Sequence, residues 1–164
     1  MIILIFYIIL GNLGDLPDTI PTHFNLAGLP DGWGNKYEIF VYAGVGLFFY
    51  VLITGISAAL AIVRNPTSFI NLPGKTKDSL SSDQADKLRI FFVQYLFLLK
   101  TLILGLNVYL AHSNIEVALQ HTDSIGYWPM LFVAAIAAVT IFMVYKSYRL
   151  TVSTNSYTGS TPYK

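Results

Sequence analysis

Three long apolar runs constrain this chain more than anything else in it. Residues 39–63, 90–111 and 128–145 are almost free of charge. Each falls within the window of about 17–25 residues that lets a helix cross roughly 30 Å of hydrocarbon. A fourth run, residues 2–10, is shorter. Even continued to Leu16 it would reach only about 24 Å at 1.5 Å per residue. It has no basic segment in front and no small-residue cleavage site behind, so it does not fit a removable signal peptide. It reads as a short or N-terminally abbreviated spanning helix with Met1 near an interface, the natural start lying a few residues upstream. The expected fold is an all-α integral membrane protein: four transmembrane helices at about 1–14, 38–63, 88–112 and 127–148, with a structured outer loop between the first two. These form one domain over residues 1–150, and residues 151–164, rich in Thr, Ser, Asn and Gly, read as a disordered cytoplasmic tail.

Composition agrees. The chain is 54% hydrophobic and 12% charged, against about 25% charged in an ordinary soluble domain. A net charge of +1 gives no reason to expect a nucleic-acid partner. The absence of cysteine excludes disulfides, thiolate metal sites and cysteine nucleophiles.

Charge in the connections sets the threading. Arg64, Lys75, Lys77, Lys87 and Arg89 lie between the second and third spans, and Lys146, Arg149 and Lys164 follow the fourth. The first connection has one cation, Lys36, against Asp15, Asp18, Asp31 and Glu38; residues 112–127 have none. Lys and Arg concentrate on the cytoplasmic side, so both termini and the middle loop are expected inside, with the first and last connections outside. Tyr127 and Trp128 at one end of the fourth span and Tyr145 and Tyr148 at the other suit the two interfaces. Pairs of small residues four apart, Gly55 with Ala59 and Ala134 with Ala138, either mark faces where helices inside the bundle can approach closely or are the scattered small residues of any membrane helix. Residues 65–66 and 72–74 read as turns, and residues 82–89 as a capped, charged helix start leading into the third span.

The first connection is the most distinctive segment. Within it Pro17, Pro21 and Pro30 restrict the backbone while Gly28, Gly32 and Gly34 admit unusual conformations, so it is built to hold a shape. Asp18, His23 and Asp31 offer oxygen and imidazole ligands, and Asp31 with Lys36 forms a candidate ion pair. The bland reading has His23 and Asn25 bracing turns, Trp33 anchoring at the lipid surface and Lys36 meeting a carboxylate or headgroup. No spacing-defined zinc signature occurs. His112 and His121 fall on the same predicted side as His23, together with Glu116 and Asp123, which allows a composite divalent-cation site or a pH-sensing cluster.

Residues 16–36 resemble the DUF1648 family of small bacterial membrane proteins, whose pattern is close to P-D-x-I-P-x-H-F-x-x-x-G-x-x-D-x-W-G-x-K. The matching positions run from Pro17-Asp18 through Ile20-Pro21, His23-Phe24, Gly28, Asp31 and Trp33-Gly34 to Lys36. Asn71-Leu72-Pro73 ahead of a helix with a mid-span lysine also looks like members of this family. The resemblance implies a four-helix protein of a bacterial plasma membrane with the motif outside. Its relatives include immunity proteins of the SdpI type, which protect a bacterium from a secreted killing peptide and help signal its presence. Those relatives carry a further C-terminal membrane domain whose signature does not occur in these residues.

The third span holds an intramembrane charge, Lys100. A lysine at that depth costs about 2.5–3.5 kcal/mol on insertion scales. Gln94, Lys100, Thr101 and Asn107 fall within an arc of about 140° at 100° per residue, which implies a protein-lined interior or wet cavity. Thr54, Ser57 and Thr140 are its candidate companions. Lys100 then either binds an anionic group or moves protons, or it is satisfied by hydroxyls and carbonyls and fixes packing.

No phosphate loop, nucleophile elbow or His-Glu-x-x-His helix occurs, and no cofactor is called for beyond the candidate divalent metal. Three roles follow. The leading one is a non-enzymatic receptor or immunity-like module recognising an extracellular peptide, ion or envelope component through Asp18, His23, Asn25, Asp31, Trp33 and Lys36. The second is a small transporter or permease subunit, homo-oligomeric, with a polar path around Lys100. The third is an outward-facing metal-dependent enzyme using His23, Asp31, His112 or His121.

Overall fold

The computed structural model describes residues 1–62 and 82–152. The expected turns at 65–66 and 72–74, the cations Arg64, Lys75, Lys77 and Lys164, the loop at 71–73 and the tail from residue 153 lie outside the described residues. Helix α1 is Ile2–Asn12, strands β1 and β2 are Thr19–Phe24 and Pro30–Asn35, and a 3₁₀ turn at Lys36–Ile39 leads into α2, Phe40–Ile62. Helix α3 is Ser82–Ala118 and α4 is Trp128–Val152.

Among the described residues three helices are long and apolar enough to cross a membrane, with spans at Lys36–Ile62, Ala85–Ala118 and Trp128–Arg149. The 11 residues of α1 cover about 16 Å, roughly half the hydrocarbon thickness. Asn12 donates its side-chain N–H to the Ile8 carbonyl (2.8 Å) near the helix end, and Gly14 and Pro17 follow. Helix α3 touches all three other helices and β1. Its 37 residues extend about 55 Å, well beyond any bilayer. It starts at Ser82, and its first turns carry ion pairs of Lys87 with Asp83 (2.6 Å) and Arg89 with Asp86 (2.9 Å).

The core lies where α1, α2, the hairpin and the last turns of α3 converge. Ile5, Ile9 and Ile39 are fully covered there, together with Leu16, Ile20, Ala43, Ala111 and Ile115. Elsewhere the helices turn large apolar side chains outward: Phe48, Val51, Phe97 and Ile141 are all exposed. In water that surface would be prohibitive; in lipid it is the solvated face.

The structure refines three expectations. The structured outer loop expected between the first two helices takes the form of an antiparallel β-hairpin, one small sheet on a mostly helical fold. With only two strands both are edges, where Pro21 and Pro30 can sit without depriving a neighbour of a donor. The pairing runs Thr19 with Asn35, Ile20 with Gly34, Pro21 with Trp33 and His23 with Gly32, with irregularities on either side of His23. Second, α3 continues past His112 to Ala118, so the connection between α3 and α4 is only residues 119–127. The hairpin covers that extension and makes a helix of a segment that looks polar. Third, the small-residue pairs do not pack inside the bundle. Gly55, Ala59, Ala134 and Ala138 are all exposed, and nothing lies within 4 Å of a Cβ placed on Gly55. Close approach occurs instead at Gly46, where an added Cβ would sit 3.0 Å from Ile5 Cδ1 and 3.4 Å from Ile2 Cδ1.

Candidate functional site

The hairpin is stapled at its tip, its open end and its inner face. At the tip, the Asn25 side-chain oxygen accepts the N–H groups of Ala27 (2.9 Å) and Leu29 (3.1 Å). Gly28 adopts φ +76 and donates its N–H to the Asn25 carbonyl (2.9 Å). A left-handed backbone there favours glycine over any residue with a Cβ. At the open end, Lys36 donates its backbone N–H to the Asp18 carbonyl (3.0 Å), and its ammonium pairs with the Asp18 carboxylate at 3.1 Å. Asn35 and Glu38 cap the 3₁₀ turn reciprocally. Gly34 leaves room for that Glu38 carboxylate, since a Cβ at position 34 would collide with it and lie 2.8 Å from Thr22 Cγ2.

The inner face docks on α3. Ile20 and Pro21 are buried, and the Asn114 amide donates to the Pro21 carbonyl (2.9 Å) and to the Tyr42 hydroxyl (3.1 Å). Residues 119–127 add a second clasp. The Ile125 N–H donates to the Gly28 carbonyl (2.9 Å), and the Tyr109 hydroxyl donates to the Ile125 carbonyl (2.6 Å). One asparagine on α3 thereby joins the hairpin, α2 and α3 in a single buried contact.

The outer face presents the candidate recognition residues. Asp31, Trp33 and Asn35 alternate onto the exposed side of β2. The His23 ring nitrogen Nδ1 pairs with the Asp31 carboxylate across the strands, the His23 side chain being 73% exposed. Trp33 is 58% exposed, and Leu26 at the tip 87%. An exposed indole beside a His–carboxylate pair, all on a braced backbone, is a surface suited to recognition.

The structure separates several residues that the sequence grouped. Asp31 pairs with His23, and Lys36 with Asp18, so the expected Asp31–Lys36 pair does not form. Asn25 has its side-chain oxygen committed to the turn. His121 pairs with Glu116 at 3.1 Å, apart from His23, and His112 is exposed. Among the described residues no three His, Cys, Asp or Glu side chains come together to hold a metal ion. His23, Asp31, His112 and His121 therefore form two separate acid–histidine contacts and a lone ring, not a composite site.

The intramembrane set also divides. Lys100 donates to the Thr54 hydroxyl on α2 (3.1 Å) and lies 5.0 Å from the Tyr50 ring centroid. Thr101 is exposed and bonds back to the Phe97 carbonyl (2.9 Å), a common arrangement for a hydroxyl in an apolar helix. Gln94 faces α4. Asn107 is buried near Gly46, its side-chain oxygen without a partner among the described residues. These four residues do not line one path. Ser57 and Thr140, proposed as companions of Lys100, bond instead to the Ile53 and Ile136 carbonyls.

A different polar series is present: Lys100, Asn107 and Asn114 recur every seven residues on the side of α3 that meets α1, α2 and the hairpin. Asn114 lies in a stretch, residues 112–127, whose composition reads as a loop. The signal that reveals it is the heptad interval, which keeps a residue on nearly the same helix face.

Residues 1–47, comprising α1, the hairpin, the 3₁₀ turn and the first turns of α2, match the family described as "Domain of unknown function (DUF1648)". The resemblance read from residues 16–36 thus extends through the whole hairpin unit, and the matched description names no enzymatic activity. An "Uncharacterized protein" of Archaeoglobus fulgidus is 28% identical over 144 residues, spanning 80% of this chain and 74% of its own length. No solved structure matches.

Proposed function

We propose that this chain is a non-enzymatic receptor or immunity-like module of a bacterial plasma membrane, with its hairpin outside and its chain ends inside. The single observation that carries the reading is the exposed trio His23, Asp31 and Trp33 on a hairpin held to α3 by Asn114 and Ile125. A rigid platform with an aromatic anchor and a polar pair loses little conformational freedom when it binds. The distribution of charge supports the orientation. Among the described residues the end of the bundle away from the hairpin carries Lys87, Arg89, Lys146 and Arg149, while the hairpin end carries Lys36 among six acids: Asp15, Asp18, Asp31, Glu38, Glu116 and Asp123. The partner is an extracellular peptide, an ion or an envelope component, and the helices relay or neutralise it.

The test is tolerance. Expression in a host sensitive to envelope-active peptides raises survival against at least one member of a panel. Trp33→Ala and Asp31→Asn abolish the gain while membrane levels of the protein stay unchanged. Survival that never rises, or that persists in both variants, contradicts the reading.

A further inference from the structure

We propose that the groove between α3 and α4, at the end of the bundle away from the hairpin, is a binding site for an anionic phospholipid. It encloses about 420 Å³, with Phe91, Gln94 and Tyr95 on one wall and Ala138, Phe142 and Lys146 on the other. This inference stands apart from the receptor reading, since it uses neither the hairpin nor its orientation.

Depth identifies the occupant. Lys146 follows Trp128 by eighteen positions, about 27 Å along α4. With Trp128 at one interface, Lys146 therefore lies near the other, where headgroups begin. From there the groove runs toward the bilayer interior between Leu98 and Ala138, the direction an acyl chain takes. The walls are apolar apart from Lys146 at the mouth and the Gln94 amide about 4–5 Å deeper than Phe91. Ala138 supplies the width, being too small to fill the space opposite α3. The Tyr95 hydroxyl and Thr140 Oγ1, 3.1 Å apart, join the two helices beside it.

Charge identifies the headgroup. The Lys146 ammonium lies 4.9 Å from the Phe91 ring centroid and 5.7 Å from that of Phe142, so two rings hold it at the mouth. Among the described residues no carboxylate pairs with it: Asp83 is engaged by Lys87 and Asp86 by Arg89. Arg149, one turn further along α4, donates to the Tyr145 hydroxyl (3.4 Å) and does not line the groove, which leaves Lys146 as its cation. A basic pocket between spanning helices at an interface suits a lipid phosphate. A lipid with net negative charge leaves that attraction uncancelled by a headgroup amine.

Native mass spectrometry of the full chain, released from detergent with equimolar phosphatidylglycerol and phosphatidylcholine, tests the site. The chain retains phosphatidylglycerol about five-fold over phosphatidylcholine, as expected for one interfacial cation. Lys146→Gln brings that ratio close to one, and Lys146→Arg keeps it. Ala138→Phe fills the groove and reduces retention of both lipids, whereas Ile141→Ala, on the exposed side of α4, changes neither. Circular dichroism checks that each variant remains helical. Equal retention of the two lipids by the unsubstituted chain overturns the proposal. So does a preference that survives Lys146→Gln, or lipid retention unaffected by Ala138→Phe in a folded protein.

Discussion

Asn114 and Lys100 are both polar residues on the inward side of α3, yet they face different consequences on substitution. Asn114 is 1% exposed, and its amide donates to a buried strand carbonyl and to the half-buried Tyr42 phenol. Asn114→Leu leaves the Pro21 carbonyl without its donor, at a cost of about 1–3 kcal/mol. A lowered thermal midpoint in detergent, with faster proteolysis of the hairpin, is the expected result. Among the described residues Lys100 has one hydroxyl and the rings of Tyr50 and Phe97 for company, which offset only part of the penalty of holding an ammonium in the membrane. Lys100→Met therefore keeps insertion and leaves the midpoint unchanged or higher. If the proposed relay runs through α3, the same variant loses the tolerance phenotype. A clear fall in stability would show that the charge is there to fix packing.

At the level of elements, α1 depends on α2 at one close approach. Gly46 lets Ile5 and Ile2 sit against the α2 backbone, and a β-branched side chain there would have to displace both. Gly46→Val is expected to cost about 1–3 kcal/mol and to raise hydrogen exchange selectively in α1, with α4 unaffected. The long helices were legible in the sequence because length and apolarity alone define them. The hairpin was recognised as a rigid outer segment, but not as strands. Gly32 and Gly34 occupy the inward positions of β2 while Asp31, Trp33 and Asn35 alternate outward, so the usual apolar alternation of a half-buried strand is missing. The end of α3 is hard to read because Ser113 and Asn114 look like loop residues; both are buried, and Asn114 donates to the Pro21 carbonyl of β1. Of the candidate recognition residues read from the sequence, His23, Asp31 and Trp33 are exposed and Lys36 is half-buried, and the ion pair expected between Asp31 and Lys36 does not form. Strand register places Asp31 across from His23, and hairpin closure brings Asp18 to Lys36.

For the whole molecule, the governing property is asymmetry between its two ends. The hairpin end is capped by a polar, hydrogen-bonded head resting on a small core of fully buried isoleucines. The opposite end is basic and leaves a groove between α3 and α4. Apolar surface between them is left for lipid, and the proposed orientation follows from the Lys/Arg bias between the two ends. This chain has no cysteine, so a single introduced thiol reports one position without background. Leu26→Cys places it at the exposed hairpin tip, and Asp83→Cys at the exposed start of α3. In intact cells a membrane-impermeant maleimide should label position 26, and reach position 83 only after the membrane is opened. Labelling of position 83 in intact cells, with position 26 protected until lysis, would contradict the account.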